Sequence, residues 1–172
     1  GQTDNIMMRI VDVLDSIPMT LYVILIMVVV GPGIVSIILA LGLTFWVKMA
    51  RIVRGQVLTL KQQEFALAAY VIGAGKLRIL FKHLIINCMG PIIVSTTLMV
   101  PEAIFTESFL AFIGIGISLP QASWGTLASE ARSVIQSYPL QIVWPVLAIC
   151  LTVLSLNFIG DGVGEALDPK NR

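Results

Sequence analysis

Long uncharged segments alternate with short charged segments along this chain. Four stretches contain no Asp, Glu, Lys or Arg, and they cover residues 16–47, 84–101, 108–129 and 133–160. A helix needs roughly 20 apolar residues to cross a bilayer, and each stretch approaches or exceeds that length. The pattern therefore predicts an all-α, polytopic membrane protein rather than a soluble domain.

The N-terminal part of the pattern predicts two helices separated by a turn. Residues 6–30 carry apolar side chains at a helical period, and their charges are confined to the first turns. We expect one helix here, which begins at the membrane surface and then enters the bilayer. The triplet Gly31-Pro32-Gly33 predicts a sharp break, and residues 34–47 predict a second span.

The C-terminal part predicts one interrupted segment and one simple span. Residues 84–119 are apolar apart from two glutamates, and one continuous helix of this length would measure roughly 50 Å, against a membrane core of about 30 Å. We therefore expect one crossing followed by a short helix or re-entrant piece at the outer face, with breaks at Pro101 and at 114–116. Residues 120–139 predict an external loop, and 140–160 the last span.

Composition and charge strengthen the membrane interpretation and give an orientation. Apolar residues make up 57% of the chain and charged residues 12%, whereas a soluble domain carries roughly 25% charged residues. Seven of the 11 basic residues fall between Lys48 and Lys82, against a single acid, Glu64. By the positive-inside rule this segment is cytoplasmic. The chain then has four spans, with residues 54–85 and the C-terminus in the cytoplasm, and no nucleic-acid partner is expected.

The basic segment also has a pattern of its own. Residues 64–72 predict a short helix that stops at Gly73-Ala74-Gly75, where glycine permits the chain to reverse direction. A second amphipathic stretch follows at 76–84. We therefore expect two short helices set at an angle, which form a knob for insertion into a groove of a partner protein. The predicted contact face consists of Glu64, Ala68 and Ala69.

Five blocks of sequence carry a family resemblance. The first is Glu64-x-x-x-Ala68-Ala69-x-x-x-Gly73, with residues 82–87 behind it. The other four blocks are residues 50–58, 107–116, 123–125 and 161–169. In this order they resemble the permease subunits of binding-protein-dependent ABC importers, whose cytoplasmic loop carries an E-A-A-x-x-x-G motif. The match is with the oligopeptide, dipeptide and nickel branch, and with its second permease subunit, over nearly the whole chain.

The resemblance implies a fold, a function and partners. It implies that residues 1–172 form the helical bundle of a type I ABC importer permease, apparently without its N-terminal helices, with a coupling loop at residues 54–87. It implies peptide import across the cytoplasmic membrane of a prokaryote, with ATP hydrolysis on a separate chain, so that this chain is not an enzyme. The implied partners are a second permease subunit, ATP-binding subunits, an extracytoplasmic solute-binding protein and membrane lipid. The residues expected to couple to the ATPase are Glu64, Phe65, Ala68, Ala69, Gly73 and His83.

Three positions depart from the pattern of that family. Tyr70 stands where the family usually carries Arg or Lys, and Ile86 stands where Pro normally precedes Asn87. Gly164 replaces a basic residue that is usual in the tail. These departures leave the expected fold unchanged and bear on the strength of coupling.

The alternative function is a secondary transporter or channel subunit that ATP does not drive. Such proteins usually bury several paired ionisable groups, and here only Glu107 is a candidate, unless it lies at the outer surface or bonds between helices. Glu64 has a simpler alternative too, as a carboxylate that favours a helix dipole. The single histidine, His83, adjoins the basic segment, which argues against an intramembrane serine protease. The spacing of Cys88 and Cys150 fits no metal site, so no metal or cofactor is expected.

Overall fold

The computed structural model describes residues 1–117 and 120–167. Over these residues it contains helices and turns and no strand, so the predicted all-α fold is confirmed. The helices are α1 (Gln2–Asp15), α2 (Met19–Val30), α3 (Ile34–Leu60), α4 (Glu64–Val71), α5 (Lys76–Phe112), α6 (Trp124–Ser133) and α7 (Val143–Leu167). Asp168 and Pro169, the end of the predicted C-terminal block, lie outside the described residues.

The first predicted helix is two helices, α1 and α2, which meet at an angle of 85°. The prediction of one helix over residues 6–30 is therefore wrong. Pro18 explains the break, because proline lacks a backbone N–H and disfavours helical geometry at the residue before it. Pro18 instead precedes α2 with extended backbone (φ −56°, ψ 137°). Three helices, α3, α5 and α7, are long and apolar enough to cross a membrane, and the bent α1–α2 pair gives a fourth span if it counts as one.

Helix α3 begins at the predicted glycine turn and is longer than expected. The break at Gly31-Pro32-Gly33 is confirmed, since the two glycines have φ values of +98° and +145°. The helix then continues past the predicted end at Val47 as far as Leu60. No proline interrupts this stretch, and isolated glycines are tolerated in helices. Residues 54–60, predicted as part of the coupling loop, are therefore helical.

Helix α5 runs through both of its prolines as a single helix of 37 residues. The predicted break at Pro101 is wrong, because Pro101 is buried within the helix, where neighbouring helices support proline in membrane spans. The predicted break at 114–116 is confirmed at Gly114, which has a φ of +86°. The prediction of a separate short helix at 76–84 is also wrong, because those residues form the first turns of α5.

Helix α6 occupies the middle of the segment predicted as an external loop. A capping box fixes its start, because the Ser123 N–H donates to Thr126 Oγ1 at 2.8 Å and the Thr126 N–H donates to Ser123 Oγ at 3.2 Å. Gly125 lies so close to α5 that a β-carbon there would be 2.4 Å from the Ser108 carbonyl oxygen. A short helix does follow the α5 crossing, but it begins at Trp124 and not within residues 84–119.

Helix α5 is the central element of the packing. Helices α3, α6 and α7 all pack against it, and α2 packs against α3. A buried cluster lies where α2, α3 and the end of α5 meet, and its members are Tyr22, Val23, Ala40 and Leu110. Many large apolar side chains on α3, α5 and α7 remain exposed. That distribution suits helices whose sides face lipid or other membrane subunits.

Candidate functional site

The connection between α3 and α5 contains α4 and a glycine turn. Gln63 has extended backbone just before α4 (φ −73°, ψ 150°), and Glu64 provides an acid in the first turn. The helix ends where the Ala74 N–H donates to the Ala69 carbonyl at 3.0 Å and Gly73 adopts a φ of +82°. This left-handed C-terminal turn is the geometry that favours glycine. The predicted reversal at Gly73 is thus present in the structure.

The inner face of α4 is made of two alanines. Ala66 and Ala69 are both buried, each with 5% exposure, and α4 packs against the turn of α5 formed by Ile79–Leu84. Residues three apart share one side of a helix, and small side chains there let the two backbones approach closely. Ala69 therefore faces the chain itself. The predicted contact face required Ala69 to share an exposed surface with Glu64 and Ala68, and it does not.

The outer face of α4 is exposed and largely apolar. Glu64, Phe65 and Ala68 lie on it, and Gly73 is exposed at its end. The large side chains that continue this surface are also exposed, up to 83% for Ile72. These side chains are Leu67, Tyr70, Val71 and Ile72. The structure therefore brings four of the six predicted coupling residues to one free surface, which we call the α4 outer face.

The first turns of α5 include a π-helical segment, Ile79–Leu84, which the sequence did not predict. A π turn accommodates one extra residue and so rotates the side chains that follow it. Leu84 is buried and Phe81 is exposed, so the apolar residues of the predicted amphipathic stretch do not all face inward. His83 is half-buried on this turn, and its carbonyl accepts a hydrogen bond from Asn87 Nδ2 at 2.6 Å.

Helix α1 is tied to the lower half of α3 by ion pairs. Arg54 binds Asp4 through two hydrogen bonds of 2.8 Å, and Arg51 binds Asp15 at 2.6 Å and Asp12 at 3.0 Å. These side chains are partly exposed, so the pairs contribute little to stability. Their planar, two-pronged geometry instead fixes how α1 sits on α3. The helical spacing of the three aspartates was the available sequence signal for this contact.

Glu107 lies near the C-terminal end of α5. Its Oε2 accepts a hydrogen bond of 3.4 Å from the hydroxyl of the adjacent Ser108. Its Oε1 is buried and has no hydrogen-bond partner among the described residues. The bond seen is thus made within one helix, and not between helices as one interpretation of the sequence expected.

These features define a class of protein: a polytopic α-helical membrane protein with a short helix displayed between two long spans. The sequence profile of one family, described as the binding-protein-dependent transport system inner membrane component, matches residues 1–172. The chain therefore belongs to this family, and the resemblance inferred from its five sequence blocks is confirmed.

Several characterised proteins are similar to the chain over its full length. It is 52% identical over 172 residues to the oligopeptide transport system permease protein OppC of Bacillus subtilis. The matched region covers 100% of this chain and 56% of that protein. It is 50% identical over 173 residues to the dipeptide transport system permease protein DppC of the same organism, with coverage of 100% and 54%. It is 41% identical over 172 residues to OppC of Escherichia coli K12, with coverage of 100% and 57%. The chain thus spans little more than half the length of these relatives.

Proposed function

We propose that this chain forms the core of a permease subunit in an ATP-driven importer and that residues 64–87 dock on the ATPase subunit. The observation that carries the proposal is the α4 outer face. It is an exposed, mainly apolar helix surface, held by a glycine turn between two helices long enough to cross a membrane. Helices of this kind bind in grooves of partner proteins, and the family of the chain supports such a partner.

The proposal includes partner chains. They are a second permease subunit, ATP-binding subunits that hydrolyse ATP, and an extracytoplasmic solute-binding protein. The large apolar surface left exposed on α3, α5 and α7 supports contact with another membrane subunit as well as with lipid. In this assignment the chain itself contributes no catalytic residue.

The coupling residues would play two different roles. Glu64, Phe65 and Ala68 would touch the ATPase directly, because they lie on the α4 outer face. Ala69 would act indirectly, by seating α4 on the first turns of α5, and the half-buried His83 would support the turn beneath it. In this arrangement Gly73 is the hinge between the two helices.

The departures from the family pattern fall at informative places. Tyr70 lies on the α4 outer face with most of its side chain exposed, so an aromatic ring would meet the partner where a basic side chain is usual. Ile86 is exposed on α5. Gly164 faces Val94 of α5, 3.5 Å from where a β-carbon would lie. The first of these would change the chemistry of docking, and the other two would not touch the α4 outer face.

Cargo and orientation follow from different observations. The relatives are named for oligopeptide and dipeptide transport, which supports peptides as the cargo. The basic residues between 48 and 82 support a multi-pass protein of the cytoplasmic membrane with residues 54–85 and the C-terminus in the cytoplasm.

The test uses the full-length protein, assembled with its partner subunits in proteoliposomes. We expect Ala68→Trp to lower ATP-dependent peptide uptake about tenfold or more, because overpacking a closely fitted contact costs about 1–3 kcal/mol and about 1.4 kcal/mol corresponds to a factor of ten. Leu140→Trp is the control, since Leu140 is also an exposed apolar position and lies far along the chain from α4. It should leave uptake unchanged.

Two results would contradict the proposal. Wild-type uptake by Ala68→Trp would remove the docking role of α4. Uptake driven by a proton or sodium gradient, without any ATPase subunit, would replace the importer with the secondary transporter.

A further inference from the structure

An ion pair between Lys48 and Glu102 joins α3 to α5. At a rise of about 1.5 Å per residue, Lys48 lies about 21 Å along α3 from Ile34, and Glu102 lies about 15 Å along α5 from Phe112. Both residues therefore belong to the interior of helices that are apolar enough to cross a membrane. Their side chains are nevertheless 40% and 45% exposed. Two opposite charges thus face an exposed surface within the long helices, and Lys48 stands one residue past Val47, where the sequence predicted the span to end.

Several hydroxyl and charged residues share the side of each helix on which the pair lies, while Thr96, Thr97, Glu107 and Ser108 of α5 lie on other sides. Between residues 37 and 53 of α3 the residues that share this side are Thr44, Lys48 and Arg51, at spacings of four and three residues. On α5, Ser95, Glu102 and Thr106 follow at spacings of seven and four. Such spacings return to the same face of a helix. Each helix therefore presents a polar stripe that includes one member of the ion pair.

A groove between α3 and α5 has a volume of ≈430 Å³ and is lined by four residues of the two stripes together with the apolar Ile52, Leu98 and Met99. Lys48, Arg51, Ser95 and Glu102 are among its lining residues, and we call it the charged groove.

Large apolar side chains lie on the other sides of the same helices, where α5 also carries the exposed Thr96. Trp46 on α3, and Ile93 and Val100 on α5, are exposed away from the groove, two residues in sequence from groove-lining positions. Charged side chains in membrane spans face a bundle interior or a water-filled cavity, because contact with lipid is costly. The charged pair on the groove side therefore points to water at the groove.

We propose that the charged groove is part of the wall of the translocation path and that it contacts the charged ends of a zwitterionic peptide. This inference rests on the proposed function. Glu102 would bind the ammonium group of the peptide, and Lys48 would bind its carboxylate.

Replacing the contacts within the ion pair by contacts with the two ends of the peptide leaves the charge balanced. In its closed form Lys48 and Glu102 neutralise each other, and a zwitterion replaces each partner with a group of the same charge. Partly exposed pairs are weak, so the pair opens readily. Arg51 is engaged with Asp12 and Asp15 of α1, at 3.0 and 2.6 Å, and is not a partner in this exchange.

The test measures the reactivity of single cysteines in the assembled transporter. All native cysteines, including Cys88 and Cys150, are first replaced, and Ser95→Cys and Ile93→Cys are then introduced separately. Both positions lie at the same depth on α5 and on opposite faces, so they form a matched pair. We expect a water-soluble, membrane-impermeant thiol reagent to label Ser95→Cys at least about tenfold faster, because the reactive thiolate forms readily only in contact with water. Peptide-loaded binding protein with ATP should slow that labelling.

Each outcome bears on the inference separately from the proposed function. Equal labelling at the two positions would show that the groove is covered by lipid or by another subunit, and the inference would fail. Faster labelling of Ser95→Cys without any effect of peptide would overturn the peptide contact. ATP-dependent peptide uptake by the wild-type transporter is measured in vesicles of the same kind. If the wild-type transporter took up no peptide, the proposed function itself would be refuted.

Discussion

The two ends of α5 are secured in different ways. At the C-terminal end, α6 is held by a capping box, by the Gly125 contact with the Ser108 backbone, and by the Ser129 hydroxyl, which donates to the Phe112 carbonyl at 3.2 Å. At the N-terminal end, α4 touches α5 through one narrow alanine face and is otherwise exposed.

The difference separates an element that is packed on several sides from an element that is packed on one side. A helix that is packed and hydrogen-bonded on several sides moves only with its neighbours, whereas a helix packed on one side opens at low free energy. The position of α4 therefore depends on two local features, the Gly73 turn and the small Ala66–Ala69 face. The following substitutions test this difference, and the largest effect is expected first.

Gly73→Pro should abolish peptide uptake. Gly73 has a φ of +82° whereas proline is fixed near −65°, and the Gly73 N–H, which donates to the Tyr70 carbonyl at 3.0 Å, would be lost. We expect the direction of α4 to change while membrane insertion is retained. The measurement is ATP-dependent uptake, normalised to the amount of protein in the membrane fraction.

Gly75→Pro is the control for that substitution. Gly75 has a φ of −64°, which proline already satisfies, so uptake should remain near the wild-type level. Equal loss of uptake in the two variants would show that the left-handed turn has no special role.

Ala69→Trp should lower uptake about tenfold or more by unseating α4. Ala69 is buried against the first turns of α5, and overpacking a buried site costs about 1–3 kcal/mol. We therefore expect faster proteolytic cleavage between residues 61 and 75 in the assembled protein. Ala68→Trp should not increase cleavage, because Ala68 is exposed. If cleavage rose equally in both variants, the assignment of an inner and an outer face would be wrong.

Gly125→Ala should have the smallest effect on transport and act on stability instead. A β-carbon at residue 125 would lie 2.4 Å from the Ser108 carbonyl oxygen, so we expect a stability loss of about 1–3 kcal/mol. Uptake per assembled complex should stay near wild type. Gly42→Ala is the control, because nothing lies within 4 Å of a β-carbon there. A thermal midpoint in detergent that is the same for both variants would contradict the tight α5–α6 contact.

Features that depend on local chemistry were predictable from the sequence. The turns at Gly31–Gly33, Gly73 and Gly114 follow from glycine, which alone reaches positive φ without strain. The apolar stretches likewise placed the spans, because the membrane sets the length of an apolar helix. The short helix at Glu64–Val71 and the glycine turn after it were likewise predicted from the local pattern.

Features that depend on tertiary context were not predictable. The basic residues of α3 suggested that the helix ends near Val47, although Lys and Arg are good helix formers. Pro101 looked like a break until the packing around it was known. Ala69 is buried by packing between two helices, and the ion pairs likewise join α1 to α3. Periodicity within one helix shows which residues share a side of that helix, but not which residues of another helix they contact.

The continuity of α5 has a mechanical consequence. A rod of 37 residues is about 55 Å long, so a tilt of about 5° around its middle displaces each end by about 2 Å, in opposite directions. When α5 tilts as one body between Lys76 and Phe112, a displacement of one end is accompanied by an opposite displacement of the other end. Such opposite displacements would narrow the space beside one end of α5 while they widen the space beside its other end.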